Sequence, residues 1–197
     1  SPKFSEIVSK AWAKMGGYAM VFDGPRSTPQ LSFTVRHRYA HAGVVITASH
    51  NPFHDNGFKA YFGDGAQLVP PHDHGVVEEY NRINLSEVSH WLQEDGLTGV
   101  EVAVLPTQDD MAYKGALEDA VLNPDLLKTN APKIVFTPIH GTGAISSVPA
   151  LWDHGVQVAL VDEQSKEDAN FSTVKSPNPE NSEALLLGIK VAKKTKS

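Results

Sequence analysis

The chain has 197 residues, 41% of them hydrophobic, and a formal net charge of −6, enough apolar material for one large or two small domains with buried cores. The acidic balance excludes the basic footprint of a nucleic-acid binder and a polybasic membrane patch. The absence of cysteine excludes disulfides and thiolate metal sites and fits a reducing cytoplasm. No apolar run approaches the ~18 residues of a membrane-spanning helix, and no signal-peptide pattern opens the chain, so a cytoplasmic location is expected.

Phe4, Ile7, Val8, Ala11 and Trp12 recur at helical spacing and predict an amphipathic helix that Gly16-Gly17 ends. Tyr18 to Phe22 reads as a strand. Thr28 is a good N-cap, with Pro29 at the first helical position of a helix running to about Tyr39. A β-branched strand from Gly43 to Thr47 follows, then a loop, then a strand near Phe58–Phe62. Asp64-Gly65 is a turn, and Val76, Val77, Tyr80 and Ile83 mark another helix.

Leu97 to Pro106 reads as strand and linker, which places a domain boundary between residues 106 and 107. The second domain, 107–197, opens with a helix around Met111–Leu122, preceded by Asp109-Asp110. A strand at Ile134–Thr137 and a turn at Pro138–Gly143 come next. A helix with Ile145, Val148 and Trp152 on one face leads into a strand at Gln157–Val161, followed by Asp162-Glu163. Phe171 to Pro179 is a loop, and Ser182 caps a final helix. Alternating helix and strand predicts an α/β class: two layered α/β domains with mixed, largely parallel sheets flanked by helices. Trp12 and Trp152 fall on apolar helix faces and are expected in the core.

The densest chemical signal is Thr47-Ala48-Ser49-His50-Asn51-Pro52, directly after the Gly43–Ile46 run. A serine on an exposed loop, held by a rigid strand, is how a fold presents a nucleophilic hydroxyl. By itself, Ser-His-Asn-Pro equally suits an Asx- or Ser/Thr-turn with proline as punctuation. A Ser-His-Asp hydrolase fits less well, because His50 adjoins Ser49 and there is no Gly-x-Ser-x-Gly elbow.

Read with Asn56-Gly57-Phe58-Lys59-Ala60-Tyr61 and Gly65-Ala66-Gln67-Leu68, this segment resembles the active-serine region of the α-D-phosphohexomutases, the phosphoglucomutase and phosphomannomutase superfamily. Ser27 to Arg36 resembles the family's loop and helix before that strand. Thr137–Gly143 resembles the opening of its second domain, and Phe171–Glu180 a late second-domain loop. With Pro70-Pro71-His72-Asp73, these favour the branch holding bacterial phosphoglucomutases and phosphopentomutase-like relatives. The resemblance covers most of domain 1 and domain 2 of four. An opening strand with Asp-x-Arg is expected before Ser1, and an Asp-Gly-Asp-x-Asp-Arg metal loop soon after Lys194.

The resemblance implies that phospho-Ser49 donates its phosphoryl group to a sugar phosphate, giving a bisphosphate that reorients and returns the other phosphate. Glucose 1-phosphate and glucose 6-phosphate, or related sugar phosphates, are the implied substrates. Mg²⁺ is the implied cofactor, bound to a phosphoryl oxygen on Ser49, its carboxylate ligands lying outside these residues. As it stands, the chain is expected to be a catalytically inactive piece with a structural or phosphosugar-binding role.

His50 has two readings, phosphate contact with proton transfer, or a hydrogen bond that shapes the loop. Asn51 is placed among the phosphate-binding residues, chiefly as the residue that fixes the turn. Lys59, on the strand after the loop, matches a family lysine that faces the active site, and its ammonium suits charge on transferring oxygens. Arg26, in a loop before the helix, either faces phosphate or is solvated. Gly141-Thr142-Gly143 lacks the spacing of a nucleotide-binding loop and reads as a tight strand-to-helix turn. His72-x-His74 lacks further ligands and reads as surface histidine. Oligomeric state is left open by the sequence.

Overall fold

The computed structural model describes residues 1–94 and 96–197. They divide into two compact units: Ser1–Thr47 with Gly57–Thr107, and Ala48–Asn56 with Gln108–Ser197. Helices and strands alternate in both, and the paired strands are mostly parallel, so the class is α/β.

The first unit begins with α1 (Pro2–Lys14), which has proline in its first turn and lysine in its last. Both choices suit helix ends, where the first N–H groups lack partners and the dipole favours a cation at the C-terminus. β1 (Met20–Val21) is shorter than the expected Tyr18–Phe22 strand and pairs in parallel with β4 (Ala103–Val104). α2 (Thr28–His37) is capped by extended Ser27 rather than by Thr28, because the Ser27 carbonyl already accepts the N–H groups of Gln30 and Leu31.

α2 ends two residues before Tyr39 in a Schellman arrangement. The Tyr39 N–H reaches the Arg36 carbonyl, the Ala40 N–H reaches that of Val35, and Tyr39 takes a left-handed φ of 51°. α2 packs on β2 (Ala42–Ile46), where Gly43 leaves room for Val35 and Leu31. β2 pairs antiparallel with β3 (Phe58–Phe62), Val44 opposite Ala60 and Ile46 opposite Phe58.

Beyond β3, Gly65 turns the chain at φ 79°, and the Leu68 N–H returns to the Ala60 carbonyl. α2 holds this turn: Ser32 Oγ donates to the Gly65 carbonyl at 2.7 Å, and Arg36 Nη1 donates to Ser32 Oγ at 2.8 Å. A Cβ on Gly65 would collide with both Ser32 and Arg36. α3 (His72–Arg82) and α4 (Leu85–Glu94) follow. α4 lies in a stretch where no helix was expected. The marker residues of α3 are in place, yet Val76, Val77, Tyr80 and the capping Ile83 all face solvent.

The second unit runs through α5 (Thr107–Asp119), α6 (Pro124–Thr129), β5 (Lys133–Phe136), α7 (Gly143–Asp153), β6 (Gln157–Leu160) and α8 (Asp162–Ser165). A 3₁₀ turn (Ser182–Leu185) and α9 (Leu186–Thr195) close it. β5 and β6 pair in parallel, α7 crosses between them, and α9 lies on β5. Val148, Val156, Val161 and Ala184 form the buried centre. Ser182 opens the 3₁₀ turn rather than capping the final helix, which begins at Leu186.

The two tryptophans expected in the core, Trp12 and Trp152, depart from it. Trp12 is 55% exposed and Trp152 52% exposed. The Trp12 indole lies over Gly17, a position that no side chain could share with it. On α7 only Val148 of the three apolar-face residues is buried, because β6 covers a stripe narrower than the periodicity implies. No helix among the described residues is long and apolar enough to cross a membrane.

Candidate active site

Ser49 sits on the loop that joins β2 to β3. The neck of this loop is closed by the Thr47 N–H donating to the Gly57 carbonyl at 2.9 Å. Within the loop, the Asn51 N–H donates to the Ala48 carbonyl and the Asp55 N–H to that of Pro52, two successive turns. Asn51 Nδ2 also donates to Asp55 Oδ2 at 3.2 Å, and His54 Nε2 lies 3.7 Å from Asp55 Oδ1. Asn51 thus ties the loop to Asp55 through its side chain.

Ser49 adopts φ 59°, the left-handed region that costs a non-glycine residue about 1–3 kcal/mol unless its surroundings impose it. Its hydroxyl is exposed, and Oγ lies 3.2 Å from His50 Nδ1. With the Nε2–H tautomer, Nδ1 accepts the hydroxyl proton; with Nδ1–H, the imidazole donates to Oγ. The pair can thus take a proton from the serine or return one to it.

Lys59 lies in the first unit, opposite Val45 in the hairpin register. It is half-buried and shares a strand face with buried Tyr61, two residues on. Among the described residues its ammonium has no hydrogen-bond or ion-pair partner. Arg26, also in the first unit, is held inside its own loop. Its guanidinium pairs with Asp23 Oδ1 at 2.8 Å, donates to the Pro25 carbonyl, and stands 5.5 Å from the Phe22 ring centre, leaving its side chain 11% exposed.

The Thr137–Gly143 turn of the second unit holds a buried polar chain that the sequence reading missed. The Ile139 N–H donates to Thr137 Oγ1, Thr137 Oγ1 donates to Gln164 Oε1 at 2.7 Å, and Gln164 Nε2 donates to Thr173 Oγ1 at 3.1 Å. The Thr173 hydroxyl then donates to His140 Nε2 at 2.8 Å, while His140 Nδ1–H donates to the Lys166 carbonyl at 2.9 Å. Gln164 is 0% exposed, and each of these groups has a partner, which burial demands. Ile139 and His140 both take positive φ, 47° and 62°, so this chain also holds an unfavourable backbone. The Gly141 N–H bonds the Pro138 carbonyl, closing a tight strand-to-helix turn.

Nearby, Asp168 accepts the N–H groups of Asn170 and Ser172, each at 2.9 Å. The Ser172 hydrogen bonds, then the Asn170 amide and the proximity of His140, bring its carboxyl down to about 2. Asp109 and Asp110 lie in the first turn of α5 rather than before it, and Asp109 is 1% exposed. An open cleft of about 380 Å³ is lined by Lys175, Ser176, Asn181, Ser182 and Glu183, away from Ser49 in sequence.

A hard divalent cation requires several converging oxygen ligands. Among the described residues, no three His, Asp or Glu side chains gather as a cation site would require, and His72 instead packs edge-on to Phe62. These residues do not fit a resident Mg²⁺.

Residues 1–87 match the family description "Phosphoglucomutase/phosphomannomutase, alpha/beta/alpha domain I", and residues 113–197 match domain II of the same family. Among similar curated proteins, a phosphoribomutase of Saccharomyces cerevisiae is 35% identical over 85% of this chain and 29% of its own length. A phosphoglucomutase of Staphylococcus haemolyticus is 34% identical over 98% of this chain and 35% of its own. A human phosphopentomutase is 31% identical over 100% of this chain and 32% of its own. The chain therefore spans about a third of the length of these relatives. A crystal structure of a Thermus thermophilus protein described as a phosphomannomutase superposes with a TM-score of 0.70 over 96% of this chain and 40% of that one, at 22% identity, a likeness of fold.

Proposed function

The chain belongs to the phosphoglucomutase/phosphomannomutase family, and on that premise we propose that it is the part of a sugar-phosphate mutase that carries the transferring serine, Ser49. The observation that supports this most is the serine loop itself: an exposed hydroxyl, a strained backbone at one residue, and an imidazole nitrogen 3.2 Å away. Strain at a single polar residue on a hairpin loop is a common companion of function.

In the proposed reaction the P–Oγ bond of phospho-Ser49 breaks as a sugar hydroxyl attacks phosphorus. The hydroxyl proton leaves to a base, and Oγ recovers a proton from His50. Return of a phosphoryl group from the bisphosphate reverses each transfer: His50 takes the Ser49 proton as Oγ attacks. Phosphoryl transfer depends more on positioning and on neutralising charge than on covalent novelty. We assign charge neutralisation to Lys59 and turn-holding to Asn51. Arg26, engaged by Asp23, serves the loop before α2. Mg²⁺, if the intact mutase uses it, would supply Lewis-acid chemistry at a phosphoryl oxygen.

We take glucose 1-phosphate and glucose 6-phosphate as the first substrates to test, with pentose phosphates next, because relatives of both kinds match the chain. The proposed domain boundary is between residues 106 and 107, the serine loop being an excursion from the first domain, and the proposed location is the cytoplasm. A second reading has its own support: the chain as it stands is inactive, since it spans about a third of its relatives and gathers no cation ligands among the described residues.

A coupled assay of glucose 1-phosphate conversion, with Mg²⁺ and a trace of glucose 1,6-bisphosphate, tests both. It compares the 197-residue chain, a full-length protein containing it, and the Ser49→Ala variant of the latter. Turnover by the intact protein alone, abolished in Ser49→Ala, is the expected result. An intact protein silent on hexose and pentose phosphates would overturn the mutase reading.

A further inference from the structure

We propose that Asn56-Gly57, at the neck of the serine loop, is a self-modifying site whose conversion to isoaspartate opens that neck. Asn56 is exposed and is the last residue of the loop, and the Gly57 carbonyl receives the Thr47 N–H that closes the loop at 2.9 Å. Of the asparagines in the chain, Asn56 alone precedes glycine. Asn51, Asn123 and Asn178 precede proline, whose nitrogen has no proton to lose, and the others precede residues with side chains. A glycine offers no Cβ to obstruct ring closure and has the widest backbone freedom to reach it. Exposed loops are also where chains can adopt the geometry for such chemistry.

The chemistry balances with water alone. The Gly57 nitrogen loses its proton to hydroxide and attacks Asn56 Cγ. The Cγ–Nδ2 bond breaks, ammonia leaves, and a five-membered succinimide remains. Water opening the ring at Cγ breaks its bond to the Gly57 nitrogen and gives aspartate. Water adding at the Asn56 main-chain carbonyl carbon breaks that carbon's bond to nitrogen and gives isoaspartate. The main chain then runs through Cβ and Cγ and is one carbon longer. Either product adds a carboxylate beside Asp55, and the longer one moves Gly57 out of register with Thr47.

The consequence for phosphoryl transfer rests on the phosphoserine reading: new negative charge and a displaced neck would both oppose a dianionic phosphate on Ser49. The modification itself does not depend on that reading, so the two are measured separately.

The purified chain and its Gly57→Ala variant are aged at mildly alkaline pH and digested with trypsin. The peptide 39–59 is then sequenced by mass spectrometry, and isoaspartate is quantified by protein-isoaspartate methyltransferase. In that peptide Asn51 serves as an internal control, since Pro52 blocks its ring closure. We expect the gain from amide to acid at Asn56 alone, a majority of isoaspartate, and slowing by roughly tenfold or more in Gly57→Ala, where the Cβ obstructs closure. Hydrogen exchange at the Thr47 amide is expected to accelerate in step with isoaspartate. Asn56 surviving as long as Asn81 or Asn84 would overturn the proposal, and so would full conversion with Thr47 protection unchanged. Mutase activity of an intact protein aged in parallel reports the phosphoserine reading independently.

Discussion

Ser49 combines two properties that substitution can separate: a hydroxyl, and a backbone angle that favours glycine. Ser49→Ala and Ser49→Gly both delete the hydroxyl and should each lower mutase kcat/KM in an intact protein by roughly a thousandfold or more. Their stabilities should differ. Ser49→Gly is expected to be more stable than Ser49→Ala by about 1 kcal/mol, because glycine accepts the left-handed region freely. Urea unfolding of the two variants measures the difference, and equal midpoints would mean that the loop imposes no strain at this residue. Asp168 offers a second test at the same scale. Its native carboxyl titrates near 2 against an ordinary value of 3.8, so the stability it lends is complete above about pH 4 and is lost as pH falls toward 2. Asp168→Asn should flatten that part of the acid-stability profile measured by thermal melts, and an unchanged profile would remove Asp168 as its source. The serine was legible in the sequence because strand, serine and proline are contiguous. The left-handed angle at Ser49 was not legible, since no glycine or asparagine announces it.

At the scale of elements, the β2–β3 hairpin and the polar chain behind the Thr137–Gly143 turn teach opposite lessons. β3 is legible to the residue, because alternation and an Asp-Gly turn are local signals. The polar chain was invisible: His140 and Thr173 are 33 positions apart, and Thr137 and Gln164 are 27 apart, distances at which no periodicity operates. Removing one member leaves buried partners unsatisfied, which costs about 1–3 kcal/mol. Thr173→Val should therefore destabilise the second unit by about that much, and Thr173→Ser should restore most of it; chemical denaturation followed by circular dichroism reads both. Gly65→Ala makes the corresponding test of the hairpin. A Cβ there meets Ser32 and Arg36 and has to adopt φ 79°, so a loss of about 1–3 kcal/mol is expected in the first unit. The short helices α6 and α8 escaped the sequence reading because neither is long enough to develop a period.

For the molecule as a whole, hydrophobic pattern located the helices better than it located what covers them. α3 carries Val76, Val77 and Tyr80 into solvent, and α1 and α7 each leave a tryptophan half outside. Exposed apolar stripes of this kind mark association surfaces. Sedimentation velocity is expected to show concentration-dependent self-association of the chain, relieved by Val77→Glu with Tyr80→Glu; a monodisperse monomer at high concentration would refute it. The alternation of helix and strand predicted the α/β class correctly, yet the apolar residues that composition counts toward a core are partly surface here.

The grouping of residues into units also has a genealogical side. The chain passes between units at residues 47–48, 56–57 and 107–108, so spatial kinship and covalent descent disagree for the serine loop. A protease that cuts after Thr107 would leave Ser49 on the fragment that holds β2 and β3. The fragment that holds β5 and β6 would then lose nine neighbours, 48–56, with which it is grouped. Which piece inherits Ser49 is therefore decided by the backbone, while the residues with which its loop is grouped lie on the other piece.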